Sequence, residues 1–313
     1  MPATTEKVSL QLKWLHQAQF ASYYLADEKG FFAEEGLEVA IKAGGPGVDP
    51  EKLVAEGACD FAQAGGVESL LAARDIGLPV VAIGTVFQKI DVVFIAKRQS
   101  GIARLSDFRG RTVSTWYTGV HLIMRALLSE AGLDPAKVNE VAQAGSMAPF
   151  LQGEVAVAAA TFFNQLPMLR AQGLTDLVIF DPADFGVVFP RDTIIASEEM
   201  VSARPDVVRR FLRASLRGWK EAATHQAEAV DAVLRRNPTL DRAHQGVMMR
   251  EVAKLLSWGA GTTAGVGYID AEAVAAAHDF LFRNKQIANP HALDGAAAMQ
   301  FWEDVPPAYK RLG

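Results

Sequence analysis

Aromatic and amide side chains follow several predicted strands at the point where each strand ends. Trp14 closes the first predicted strand, residues 8–14, and Trp116 ends a strand in the second third of the chain. The loops at the carboxyl ends of strands are where α/β proteins hold their ligands, so we predict a ligand site there. The predicted site residues are Trp14, His16, Gln19, Gln63, Glu68, Trp116, Tyr117, Phe163 and Asn164.

These residue types favour one kind of ligand. Flat apolar faces beside fixed amide donors and acceptors suit an aromatic heterocycle. A small oxyanion is more often held by backbone nests rich in Ser, Thr and Gly, and by arginine. Each aromatic side chain taken alone could equally pack in the core. The recurrence of the pattern after four strands favours a binding site, with Trp14 and Trp116 as its most promising members.

No catalytic or cofactor motif is found in the sequence. It contains no HExxH, no paired His/Cys spacing, no GxSxG and no GxxxxGK[ST]. The stretch "AGGPGVDP" lacks the third glycine of a dinucleotide fingerprint and follows the second strand rather than the first. The single cysteine, Cys59, excludes an intramolecular disulfide and is expected to be buried rather than reactive. We therefore predict a protein that is not an enzyme and has no cofactor and no metal.

Composition limits the partners and leaves the location open. The net charge of −5 gives no electrostatic reason to expect nucleic acid as a partner. No apolar run reaches the roughly 20 residues that span a bilayer. The opening residues, "MPATTEKVSL", lack the basic and apolar regions of a signal peptide. This fits either a cytoplasmic protein or a sequence that begins after a removed leader.

The elements that must position these residues form two α/β units. Strand and helix patterns alternate through residues 8–97, a second series begins near Gly101, and "DTIIASEEMV" predicts a strand returning to the first unit. A mostly helical region follows. We predict an α/β fold of two lobes joined by two hinge crossovers, with lobe I formed by residues 1–96 and 194–313 and lobe II by residues 97–193. A ligand would bind in the crevice between them.

Several blocks of this sequence resemble a known family. They are "LQLKWLHQAQFASYYLADEKGFFAEEGLEVAI", "EGACDFAQAGGVESLLAARDIGLPVVAIGTVFQ", "LSDFRGRTVSTWYTG" and "GSMAPFLQGEVAVAAATFFNQ". Together they resemble the solute-binding proteins of ABC importers, in the branch that binds thiamine pyrimidine precursors, over roughly residues 8–220. The resemblance implies the two-lobed type II periplasmic-binding-protein fold, closing around a small aromatic heterocycle such as a thiamine pyrimidine precursor. It also implies an extracytoplasmic monomer that delivers its ligand to a membrane permease.

The same family includes an enzyme, the pyrimidine synthase of thiamine biosynthesis. That enzyme uses a lysine and a histidine in the block matching "DFAQAGGVESLLAA", together with a cysteine-rich iron site. Ala64 and Glu68 stand at those two positions here, which points to binding rather than synthesis. Glu68 has two interpretations: a carboxylate stabilised by a helix dipole, or an acceptor for the amine and ring nitrogen of an aminopyrimidine.

Two other functions remain open. The first is a binder of alkanesulfonate, nitrate or another small oxyanion, which a basic residue in the cleft such as Lys13, Lys89 or Arg191 would favour. The second is a cytoplasmic pyrimidine-synthase-like enzyme or sensor on the same fold. The sequence names neither the ligand nor the permease.

Overall fold

A computed structural model of the chain describes residues 5–312, which form two mixed β-sheets surrounded by helices. The strands within this range are β1 (Glu6–Leu12), β2 (Leu37–Lys42), β3 (Phe61–Gln63), β4 (Val80–Phe87), β5 (Val92–Lys97), β6 (Thr112–Thr115), β7 (Asn139–Ala142), β8 (Val157–Thr161), β9 (Leu177–Phe180) and β10 (Arg191–Ser197). The helices are α1 (Ala21–Glu28), α2 (Phe31–Glu34), α3 (Pro50–Ala55), α4 (Val67–Asp75), α5 (Val120–Glu130), α6 (Ala148–Gln152), α7 (Gln165–Ala171), α8 (Glu198–Ala203), α9 (Pro205–Thr224), α10 (Gln226–Arg236), α11 (Arg242–Leu256), α12 (Ala260–Thr263), α13 (Ala271–Arg283), α14 (Gln300–Glu303) and α15 (Pro307–Lys310).

Each sheet contains one strand that runs against its neighbours. The first sheet has the order β2-β1-β3-β10-β4, and β10 is antiparallel to β3 and β4. The second has the order β7-β6-β8-β5-β9, and β5 is antiparallel to β8 and β9. The chain crosses between the sheets at residues 88–91 and again at residues 181–190. This is the predicted α/β architecture of two lobes with two crossovers.

The sheets divide the chain at slightly different residues from those predicted. Residues 92–96 were assigned to lobe I, but β5 pairs entirely within the second sheet. Residues 191–193 were assigned to lobe II, but they open β10 of the first sheet. The difference arises because β4 and β5 are both continuous apolar runs, and burial on two faces does not reveal which sheet a strand joins.

Helix α9 anchors the first lobe. Pro205 occupies its first turn, where no backbone N–H is needed, and an apolar stripe spaced three and four residues apart faces the sheet. The ring of Phe211 stacks on Phe61 of β3 with centroids 3.8 Å apart, and Trp219 packs edge-to-face on Tyr23 at 5.9 Å. This packing holds β3, whose carboxyl end leads into the cleft, and α1, which follows β1.

Strand register brings the cleft loops together. In the first sheet β1 and β3 are parallel, with Leu12 opposite Gln63, so the loops that follow them leave the same edge. In the second sheet β6 and β8 are also parallel, with Ser114 opposite Ala158. The segments after these four strands therefore face one another across the two lobes. Across the described part of the chain, no helix is both long and apolar enough to cross a membrane.

Candidate ligand-binding cleft

The cleft between the lobes holds a small cavity, with about 40 Å³ open to a water-sized sphere. Small-molecule sites usually range from about 300 to 1,000 Å³, so a ligand of that size enters only when the lobes separate. Five of the predicted site residues line it: Trp14, Gln19, Trp116, Phe163 and Asn164. They come from loops at the carboxyl ends of β1, β6 and β8, as the strand pattern predicts.

Two tryptophans from opposite lobes meet at this cavity. The rings of Trp14 and Trp116 pack edge-to-face, with centroids 6.2 Å apart and an interplanar angle of 71°. This geometry is favourable for aromatic pairs. Both rings are partly exposed, and the buried indole N–H of Trp116 has no hydrogen-bond partner. The pair therefore presents apolar faces and one free donor to the cleft.

A chain of polar side chains bridges the lobes beside the tryptophans. Asn164, after β8, donates through Nδ2 to Oε1 of Gln17 at 3.4 Å, and its Oδ1 lies 2.8 Å from Nε2 of His244 on α11. Gln17 donates in turn to Oε1 of Gln19 at 2.8 Å. Burial lowers the pKa of His244, so its ring is neutral at pH 7. Asn164 thus connects the second lobe to two elements of the first.

The carboxylate of Asp192 is the centre of a buried polar cluster on the first-lobe side of the cleft. It pairs with the ammonium of Lys13, and the side-chain amides of Gln19 and Gln63 each donate to its Oδ2 at 2.6 Å. Asp192 adopts a φ of 56°, a conformation that non-glycine residues rarely use. Such backbone strain persists where surrounding contacts enforce it, often at functional sites.

The neighbouring Arg191 makes a second buried charge cluster. Its Nη1 donates to Oε1 of Glu68 at 2.6 Å, and its Nε lies 3.1 Å from the carboxylate of Asp91. Asp91 lies in the first crossover and Arg191 opens β10 directly after the second, so this ion pair links the first crossover to the end of the second. Burial raises the pKa of Glu68 to about 7, despite the opposing effect of the guanidinium.

Glu68 occupies the first turn of α4 but does not line the cavity. It is fully buried, and a Cβ on Gly119 of the second lobe would overlap its carboxylate. Likewise, a Cβ on Gly65 would overlap the backbone oxygen of Thr118 in the second lobe. The two lobes therefore meet through glycine backbones, and Glu68 lies within that contact rather than at the ligand surface.

The cleft carries no unpaired positive charge among the described residues. Lys13 and Arg191 line the cavity, which taken alone would favour an oxyanion ligand. Each is already neutralised, however, because these two cations face three carboxyl groups, those of Glu68, Asp91 and Asp192. The third cation considered from the sequence, Lys89, lies over the ring of Phe162 at 4.6 Å and 4.0 Å from Asp181.

The other predicted residues lie at or beyond the margins of the cavity. His16 turns away, with Nδ1 2.7 Å from the hydroxyl of Tyr24. Gln63 is buried behind Asp192, leaving its Oε1 without a partner. Tyr117 is 53% exposed and lines a second, outer cavity.

Sequence reasoning missed two residues of the cleft, Thr161 and Asp192. Thr161, at the end of β8, donates its hydroxyl to Oε1 of Gln165 at 2.8 Å, and both line the cavity. For Asp192 a signal was available, because it stands beside Arg191 in front of an apolar strand and buried charges need partners. Within residues 5–312, no group of three or more His, Cys, Asp or Glu side chains is placed to hold a metal ion.

The fold and cleft define a class: two α/β lobes, crossed twice by the chain, with a cleft between them. The alkanesulfonate-binding protein SsuA of Xanthomonas axonopodis pv. citri, bound to MOPS, has this fold, with a TM-score of 0.70 and 13% identity over 94% of this chain and 98% of that one. The NMT1/THI5-like family model matches residues 17–229, and this chain belongs to that family.

Named relatives fall into two groups. The riboflavin-binding protein RibY of Chloroflexus aurantiacus is 28% identical over 89% of this chain and 81% of its own length. The formylaminopyrimidine-binding protein of Halalkalibacterium halodurans is 30% identical over 73% of this chain and 70% of its own. A Legionella pneumophila relative, 26% identical over 77% of each chain, is instead named a 4-amino-5-hydroxymethyl-2-methylpyrimidine phosphate synthase.

Proposed function

We propose that this protein is the extracytoplasmic solute-binding component of an ABC importer and that it binds a flat, nitrogen-containing heterocycle between its lobes. The observation that carries the proposal is the meeting of Trp14 and Trp116, from opposite lobes, over a cavity lined by amide side chains. An aromatic ring gains from packing against such faces, and its nitrogens gain from the amides. The pyrimidine and riboflavin named for the relatives are both ligands of this kind.

The charge balance supports a heterocycle over an oxyanion. An anion entering the cavity would find Lys13 and Arg191 already paired with buried carboxyl groups. Burying a further negative charge there would be unfavourable. A neutral or amine-bearing ring meets no such penalty, because it can accept from or donate to the amides.

We propose binding rather than pyrimidine synthesis. The residues expected for the synthase at the β3–α4 block are replaced by Ala64 and Glu68, and Glu68 is buried against Arg191. The groups in the cleft are amides, aromatic rings and mutually neutralised charges, which recognise a ligand without supplying a nucleophile and its base. In this role the protein acts as a monomer that docks on a membrane permease.

A thermal-shift panel followed by calorimetric titration tests the proposal. The panel contains formylaminopyrimidine, 4-amino-5-hydroxymethyl-2-methylpyrimidine, riboflavin and, as the oxyanion arm, MOPS. A ligand that binds only the folded state raises the melting temperature, by an amount that grows with ligand concentration. We expect a shift with at least one heterocycle and none with MOPS. A shift with MOPS alone would support the oxyanion function instead.

A further inference from the structure

A larger cavity continues outward from the ligand cleft. About 570 Å³ of it is open to a water-sized sphere, and it shares Trp14, Trp116 and Thr118 with the inner cavity. One wall is formed by the glycine-rich loop of residues 45–49 and the first turn of α3. The loop is held against the segment after β1, because the Gly44 N–H donates to the backbone oxygen of Trp14 at 2.9 Å. A ligand held in the inner cavity could therefore extend past the tryptophan pair into this space.

Four buried polar atoms on the residues of the outer cavity have no hydrogen-bond partner. They are Oγ1 of Thr115, Nε1 of Trp116, Nδ1 of His121 and Oε1 of Glu51. Thr115 is fully buried and Glu51 is only 6% exposed, so solvent reaches neither side chain freely. Buried polar groups are nearly always paired in folded proteins, and each unpaired one is destabilising. Four of them on the residues of one cavity leave hydrogen-bonding capacity that a ligand can use when the two lobes separate.

The charges of the outer cavity select what can enter. Its formally charged lining residues are Asp49, Glu51 and Asp75, and no lysine or arginine among residues 5–312 lines it. Burial lowers the pKa of His121 to about 4, so this ring is neutral at pH 7. A phosphate would therefore meet acidic groups without a cation. Hydroxyl groups, by contrast, can accept from the indole N–H of Trp116 and donate to the oxygen of Glu51.

We infer that the outer cavity is a second subsite, which takes an uncharged, hydroxyl-bearing substituent of the heterocyclic ligand and rejects its phosphorylated form. This inference rests on the proposed function, since the inner cleft must hold the ring. The apolar side chains of Val48, Ile76 and Leu78 line the same space and suit the carbon skeleton of such a substituent.

Three flavins that share the isoalloxazine ring system test the subsite. Lumiflavin carries only a methyl group where riboflavin carries a polyhydroxyl chain, and flavin mononucleotide adds a phosphate to that chain. By calorimetric titration we expect riboflavin to bind at least about tenfold more tightly than lumiflavin and at least about tenfold more tightly than the mononucleotide.

Two substitutions test whether the difference in affinity between these flavins arises in the outer cavity. Thr115→Val, which keeps the side-chain shape, should weaken riboflavin binding by about three- to tenfold and leave lumiflavin binding unchanged. His121→Leu provides a second variant should Thr115→Val fail to fold. The exposed Thr175→Val is the matched control and should bind all three flavins as the wild type does.

Each outcome decides a different claim. Equal binding of lumiflavin and riboflavin, unaffected by Thr115→Val, would overturn the subsite and leave the proposed function standing. Equal binding of riboflavin and its phosphate would overturn the charge selection. If only pyrimidines bind, 4-amino-5-hydroxymethyl-2-methylpyrimidine is compared with its phosphate and with its 5-methyl analogue, and the same rules apply. Failure of every heterocycle would remove the inference together with the proposed function.

Discussion

Replacing Glu68 by glutamine separates a role in lobe contact from a role in ligand contact. The substitution keeps the length of the side chain and an oxygen that can accept from Arg191, while removing a buried ionisable group. Because Glu68 lies against Gly119 and outside the cavity, we expect the change to alter the pH dependence of stability rather than ligand recognition.

The size of the effect follows from the pKa of Glu68, which burial raises from 4.5 to about 7. Between these values the unfolded chain is ionised at Glu68 and the folded chain holds the proton, so stability falls as pH rises through this range. Each pH unit in this range changes the free energy of unfolding by about 1.4 kcal/mol. From about pH 5 to about pH 8 the wild type should therefore lose about 2–3 kcal/mol that Glu68→Gln does not lose.

Urea unfolding of both proteins at about pH 5 and about pH 8 measures this difference directly. Other buried acids affect both proteins equally, so the comparison isolates Glu68. Glu154→Gln removes an exposed carboxylate and should behave as the wild type. Parallel pH dependences for the wild type and Glu68→Gln would contradict the assigned burial. At least about tenfold weaker ligand binding at unchanged stability would instead support direct recognition of the ligand by Glu68.

Three further predictions concern the cleft and the buried cysteine. Gly65→Ala should weaken ligand binding by at least about tenfold in calorimetry, because its Cβ overlaps the opposite lobe. Gly145→Ala, which has open space around it, should bind as the wild type does, and equal affinities of the two variants would exclude a close lobe contact. Lys13→Met should destabilise the protein by about 3–5 kcal/mol in urea unfolding because Asp192 stays buried without its cation, and an unchanged midpoint would refute the pair. Burial raises the pKa of the Cys59 thiol to about 11, so a thiol reagent should modify native protein at least about tenfold more slowly than unfolded protein, and equal rates would show an accessible thiol.

The architecture was predictable because its signals are local. Alternating strand and helix patterns, and the late strand returning to the first unit, specify two lobes and two crossovers. The exchange of β5 into the second sheet was not predictable, since its residues Val92–Lys97 read like those of β4. Only the pairing partners distinguish the two strands, and those partners lie more than 60 residues further along the chain.

The cleft was predictable where position along a strand decides it. Trp14, Trp116 and Asn164 reach the cavity because the carboxyl ends of β1, β6 and β8 converge. Local sequence could not reveal the orientation of His16, which depends on the hydroxyl of Tyr24 one helix away. Nor could it reveal that Glu68 pairs with Arg191, which is 123 residues distant in the chain. Contacts of this kind arise only from tertiary packing.

The central claim, a heterocycle packed on the tryptophans between the lobes, is tested most directly by one calorimetric comparison. The wild type, Trp14→Ala and Trp116→Ala are titrated with the heterocycle that gives the largest thermal shift, and their melting temperatures without ligand are recorded alongside. We predict that at least one variant loses about 1–3 kcal/mol of binding free energy, by analogy with bases stacked on aromatic side chains, while remaining folded. Wild-type affinity in both variants would contradict the claim and assign the two rings to lobe packing alone.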